Sequence, residues 1–175
     1  MRPNWCRPHW LEVVTASACC LLLAYAFSAF AADLLDDPGG FNGIPWGMSL
    51  DGRPDFLLVG PGDRFQAYEL KEGPVPLGTA TVDSMRFFTI DGKLARVAIR
   101  YRGKTTHAQV LGHLQARFGP SDYRPDQMMR GLNQEHAWRG EESQINLTYD
   151  DMSQRGFLFF ESRILAPAFL DNIGE

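Results

Sequence analysis

Polar and apolar residues alternate most regularly between positions 81 and 102, and that stretch frames the fold. On Lys93 to Arg102, Ala95, Val97, Ile99 and Tyr101 alternate with Leu94, Arg96, Ala98 and Arg100, the period of a half-buried strand. Thr81 to Ile90 is the expected partner strand. Asp91-Gly92 between them suits a type I′ turn, whose two central positions need positive φ. A two-residue loop places Phe88 and Ile90 on the face of Val97 and Ile99 and sets Asp83 opposite Arg100. Met85 and Phe87 then fall on the more polar face, which must be partly covered.

The rest of the chain continues this pattern in short pieces. Phe56 to Val59 reads as a strand, Gly60 to Asp63 as a turn, Arg64 to Leu70 as the return strand, and Lys71 to Gly78 as a Gly/Pro loop. Ser49 is placed to cap a short helical turn over Leu50 to Arg53, which Gly52 and Pro54 keep short. Thr106 and Gln109 fit a capping box, and Val110, Leu111, Leu114 and Phe118 form the buried stripe of a helix. Gly119 and Pro120 end it. A loop from Ser121 to Gln134, carrying Tyr123, Met128, Met129 and Leu132, precedes strands at His136 to Arg139, Gln144 to Tyr149 and Phe157 to Ile164. The order predicts an α+β domain: an antiparallel sheet with one main helix, about residues 105–119, and a short helical turn packed on one face. It also reads as a duplicated helix-plus-strands unit.

Composition changes the picture at the N-terminus. Arg2 and Arg7 precede an uncharged run from Val13 to Ala32 that ends in Ser-Ala-Phe-Ala-Ala, the layout of an export signal cleaved near Ala31. A run of about 20 residues is also just long enough to span a bilayer, so a retained anchor at residues 13–32 is the rival expectation. Cleavage predicts a periplasmic or secreted protein with no membrane attachment. The expected layout is a signal peptide at 1–31, an acidic linker at 32–40, one domain at 41–165 and a tail at 166–175. Cys6, Cys19 and Cys20 all precede the cleavage site, so a disulfide framework or thiolate site is not expected in the mature chain. The whole chain has a net charge of −4, and without the leader, which holds Arg2, Arg7 and Glu12, it is −5. That balance argues against nucleic-acid and anionic-membrane binding, which rest on accumulated Lys and Arg.

Four segments together carry a resemblance: FNGIPWGMSL, the FFTIDGKLARVAIRY hairpin, the RFGP helix end and the AWRG…INLTYDD…GFLFF pattern. They resemble a group of uncharacterised exported bacterial proteins. In fold alone, the chain is similar to the small lipoproteins of outer-membrane assembly and to the β-lactamase inhibitor protein. That likeness implies protein binding through a sheet and helix surface, although the lipobox Cys of the lipoproteins is absent here.

Catalytic motifs are weak. Ala98 to Thr105 fits a relaxed phosphate-loop pattern, but Ile-Arg-Tyr-Arg stands where a flexible loop is needed, so Gly103-Lys104-Thr105 reads as a strand-to-helix turn. Gly47-Met48-Ser49-Leu50-Asp51 has Asp where a nucleophile elbow needs Gly, and Ser49 reads as a local cap. His107 and His113 are six apart, about 240° around a helix, so they cannot clamp one metal, and His136 is isolated. The paired carboxylates Asp36-Asp37, Glu141-Glu142 and Asp150-Asp151 sit beside turn signals. No catalytic residue, metal or cofactor is therefore expected.

Candidate binding residues remain. Arg96, Arg100 and Arg102 share a strand face, read first as a solvated face paired with Asp83 and otherwise as a basic stripe for an acidic partner or anionic glycan. Trp46 is either a recognition aromatic or a plug at the sheet edge. Tyr123, Met128 and Met129 belong to the long loop. The expected function is a non-catalytic, exported interaction domain that binds an envelope protein. Two alternatives are a small-ligand module under the Met-rich loop and a hydrolase with an active site gathered from several loops.

Overall fold

The computed structural model describes residues 36–125 and 133–169. The leader and its cysteines lie outside the described residues, as do Met128, Met129 and Leu132. Among the described residues no helix is long and apolar enough to cross a membrane.

A two-residue hairpin, β1 (Gly40–Phe41) and β2 (Ile44–Pro45), stands apart from one eight-stranded antiparallel sheet. The sheet contains β3 (Phe56–Gly60), β4 (Phe65–Leu70), β5 (Ser84–Ile90), β6 (Lys93–Arg102), β7 (Asp122–Pro125), β8 (Asn133–Arg139), β9 (Ser143–Asp150) and β10 (Arg155–Ser162). Its order is β3-β4-β5-β6-β10-β9-β8-β7. Two four-stranded meanders therefore meet where β6 pairs with β10. Among the described residues, one helix, α1 (Lys104–Phe118), and a 3₁₀ turn at Ala166–Phe169 accompany the sheet in an α+β fold.

Each element follows from its residues. Asp91 and Gly92 both take positive φ, 49° and 76°, as the hairpin turn requires. Gly103 (φ 94°) ends β6 and starts α1 at Lys104, so Thr106 lies inside the helix and no side chain caps it. This corrects the capping box: the glycine lets the chain turn into a helix two residues before Thr106. Gly119 closes the helix as expected, its N–H bonded to Gln115 O. Leu50 to Arg53 closes as a single hydrogen-bonded turn, with Ser49 Oγ accepting from Asp51 N at 3.3 Å.

The helix buries His107, Val110, Leu114 and Phe118 against one sheet face. The same core takes Phe41 from β1, whose ring meets Phe160 at 4.9 Å and Phe87 at 5.9 Å. Asp37 ties the segment before β1 to the β8–β9 turn, accepting from Glu142 N and Ser143 N. The residues from Asp37 to Gly40, expected in a linker, thus belong to the domain.

One expectation of the register is corrected. Ile90 faces Lys93 and Thr89 faces Leu94, but Phe88 faces Arg96, so Ala95 is an extra residue in β6. That bulge reverses the faces. Phe87 pairs with Val97 and Met85 with Ile99 in the core, while Phe88 and Ile90 turn to the opposite side. Leu94 and Ala95 are both fully buried, which the extra residue makes achievable. The opposite face is partly covered, as expected: Phe169 lies 5.5 Å from the Phe65 ring and 6.4 Å from Phe88. The segment from Ala166, expected as a tail, packs there too.

The loop expected from Ser121 to Gln134 begins and ends in strand, because β7 pairs with β8 from Asp122↔Ala137 to Pro125↔Gln134.

Candidate binding surface

The sheet face turned away from α1 is built by alternation along β6 and β10. Register places Arg102 against Arg155, Arg100 against Phe157, Ala98 against Phe159 and Arg96 against Glu161. Arg96, Arg100 and Arg102 do share this face, but in different states.

Arg96 is a structural residue. Its Nε lies 2.6 Å from Glu161 Oε1, and its guanidinium stands 4.3 Å from the Phe169 ring and 5.7 Å from Phe159. The pair is largely withdrawn from water, so its charge is spent internally. A depression of about 270 Å³ at this end includes Arg96, Glu161, Arg163 and Pro167 in its lining. Arg163 there gives its guanidinium N–H to Gly140 O. Arg96 and Glu161 offset each other there and Arg163 is tied to a backbone carbonyl, so that depression presents a smaller excess of positive charge than the other end.

The other end is different. Arg102 Nε lies 2.9 Å from Asp83 Oδ2, both well exposed. Asp83 therefore pairs with Arg102 and not with Arg100 as expected, since the Ala95 bulge moves β5 by one residue. Arg100 rests its guanidinium 5.7 Å from the Phe157 ring. It enters none of the ion pairs among the described residues. Arg155 joins from the strand opposite. A shallow depression of about 210 Å³ is bordered by Ser84, Asp83, Arg100, Arg102, Arg155 and Phe157. Three guanidiniums face one carboxylate in a chain whose overall charge is negative. Guanidiniums bind carboxylates in a bidentate fork, and Phe157 adds an apolar wall.

The turn that delivers Arg155 is itself fixed. Asp150 accepts from Ser153 Oγ at 2.8 Å and from the Met152 and Ser153 amides. Those hydrogen bonds, the Ser153 hydroxyl first, hold the Asp150 carboxyl below its ordinary range.

On the helix side lies a buried polar cluster. Tyr101 O–H sits 2.7 Å from His107 Nδ1, and His107 Nε2 is 3.3 Å from Gln134 Oε1. A neutral His107 protonated at Nε2 satisfies both, accepting from Tyr101 and donating to Gln134. Its ring stacks on Tyr149 at 4.2 Å, and Tyr149 O–H donates to Gln154. His136 is not isolated: its ring lies 6.4 Å from His107, and its Nδ1 is 2.8 Å from Ser121 Oγ. Burial lowers both histidines below their ordinary value, and burial raises the Tyr101 phenol.

Trp46 is half-buried and packs against the core, its Nε1 donating to the fully buried Ser143 Oγ at 2.9 Å. Tyr123 is in β7 opposite His136, and Met128 and Met129 lie outside the described residues. Among the described residues, no group of three His, Cys, Asp or Glu side chains could hold a metal. Sequence reasoning missed Arg155 and Ser84, which join the arginine face only through the long-range β6–β10 pairing and the bulge. Compared with known proteins, the chain matches no family model, no curated protein and no solved structure.

Proposed function

We propose that this chain is an exported, non-catalytic interaction domain of the cell envelope that holds an acidic segment of a partner protein. The observation that carries this reading is the depression where Arg100, Arg102 and Arg155 meet one carboxylate. The leader pattern and the segments that resemble exported proteins support the export part of this reading. Each partner carboxylate would displace solvent from a guanidinium fork, with Phe157 packing its aliphatic stem. Exposed ion pairs are individually weak, so recognition rests on several together and falls with salt. Crosslinking in intact cells expressing the full chain, followed by capture, tests it. An envelope protein should be captured, and Arg100→Glu with Arg155→Glu should abolish the capture. Undiminished capture by that variant would overturn the assignment of the surface.

A hydrolytic reading has one observation in its favour, the 2.8 Å contact between Ser121 Oγ and His136 Nδ1. Labelling by a fluorophosphonate that Ser121→Ala abolishes would establish it; an unlabelled wild-type chain would dismiss it.

A further inference from the structure

On the helix side of the sheet, a pocket of about 150 Å³ opens between α1, the β1–β2 hairpin and the loop around Gly78. Its base is aromatic. Phe41, Phe118 and Phe160 are all buried there, with the Phe160 ring 4.9 Å from Phe41 and 6.1 Å from Phe118. Its rim is basic. His113 and Arg117 stand one turn apart on α1, so both side chains reach the same mouth. No carboxylate lines the pocket and α1 carries no Asp or Glu, in a chain with 21 acidic residues. Arg117 enters none of the ion pairs among the described residues, and its guanidinium rests 5.1 Å from the Phe118 ring. Asp37, in the segment before the hairpin, is already committed to the Glu142 and Ser143 amides. The mouth is shaped by the backbone. Gly78 takes φ 59°, and a Cβ there would come within 2.7 Å of His113 Nδ1, so only glycine lets the loop close against that imidazole. Asn42, at φ 49° in the hairpin turn, adds an exposed side-chain amide.

We propose that this pocket binds a small monocarboxylate carrying one aromatic or branched apolar group. The Arg117 guanidinium offers the carboxylate a two-pronged donor, and His113 and Asn42 offer further N–H donors beside it. The apolar group settles over the phenylalanine base. A cavity of about 150 Å³ takes a group the size of benzene. Phosphate or sulfate would meet the same guanidinium but gain nothing from the aromatic base. Arg117 also complements the negative end of α1, in whose last turn it lies. That role requires neither His113 nor an aromatic floor beside it. With an exposed guanidinium and a small contact area, the affinity is about 1 mM. The pocket lies on the other face of the sheet from Arg100 and Arg155, and it stands or falls without them.

Titration with benzoate, followed by NMR shifts of amide and guanidinium N–H groups in protein purified from cells expressing the full chain, tests this. Saturable shifts are expected at Asn42, Gly78 and Arg117 Nε, with a midpoint of about 1 mM. Acetate lacks the ring and benzyl alcohol lacks the charge, so each should bind at least about tenfold more weakly. Arg117→Gln should weaken benzoate binding about tenfold, an unchanged spectrum elsewhere showing that the fold is intact. Arg117→Lys keeps a cation at the end of α1 but lacks the fork, so it too should bind more weakly than wild type. Shifts that do not saturate, shifts confined to Arg100 and Arg155, or binding indifferent to Arg117→Gln overturn the proposal. So does acetate binding as tightly as benzoate, which would leave only a general anion contact.

Discussion

Asp83 Oδ2 lies 2.9 Å from Arg102 Nε, and this pairing leaves the neighbouring guanidinium of Arg100 uncommitted on the same face. The arrangement depends on the single extra residue at Ala95. Because that bulge also decides which phenylalanine enters the core, a stability measurement tests the register. Phe87→Ala should cost about 3–5 kcal/mol, as for a fully buried aromatic, and Phe88→Ala only about 1–2 kcal/mol. Equilibrium urea unfolding of the two variants checks it; the reverse order would mean that the faces are misassigned.

Gly156 lies directly beneath the Tyr101 ring, and a Cβ there would come within 2.0 Å of Tyr101 Cζ. Tyr101 is buried and bonded to His107, so the ring cannot easily swing away. Gly156→Ala should destabilise by about 1–3 kcal/mol through overpacking. Thermal unfolding reads the effect, and Tyr101→Leu in the same chain should make the alanine much less costly.

The histidine cluster predicts a pH dependence with a definite sign. His107 and His136 are held below their ordinary value in the folded protein, chiefly by burial. Above the unfolded value, about 6.5, both are neutral in both states and stability is flat. As pH falls below it, the unfolded chain takes up protons first, and stability falls until the folded values are passed. The slope reaches at most about 1.4 kcal/mol per pH unit for each histidine. Urea midpoints between pH 8 and 5 should show the decline, and His107→Gln with His136→Gln should flatten it. Asp37 and Asp150, whose values are lowered, lose their contributions at lower pH, below the ordinary carboxylate range.

Much of the fold is legible in local patterns. Asp91-Gly92 marks the β5–β6 turn, and the stripe ending in Phe118-Gly119-Pro120 marks α1. Alternation through Ile145, Leu147 and Tyr149 marks β9. What escapes is set by contacts distant in sequence. No local feature announces that Ala95 is an extra residue, since that depends on Leu94 and Thr89 both finding buried places. The pairing of β6 with β10 brings Arg155 to Arg102 across more than fifty residues, and with it the depression. His107 and His136 meet because β8 lies beside β9 under the start of α1, a packing result that helix spacing alone misses.

The arginines of the open face should separate by role. Arg96→Ala breaks a half-buried pair with Glu161 and removes contacts to Phe169, so it should lower stability by about 1–3 kcal/mol. Arg100→Ala, exposed and unpaired among the described residues, should stay within about 0.5 kcal/mol of wild type. Unfolding curves for the two variants decide this, and a large loss for Arg100→Ala would make it structural as well.

The central claim is that the depression beside Arg100 and Arg155 meets an acidic partner. A photo-crosslinking residue placed at Ser84, on its rim, reports contact there directly, with Ala116 on the exposed side of α1 as the control position. The account predicts a discrete adduct from Ser84 in intact cells, lost when Arg100→Glu and Arg155→Glu are added, and no such adduct from Ala116. No adduct from Ser84, or one that survives both charge reversals, would contradict it.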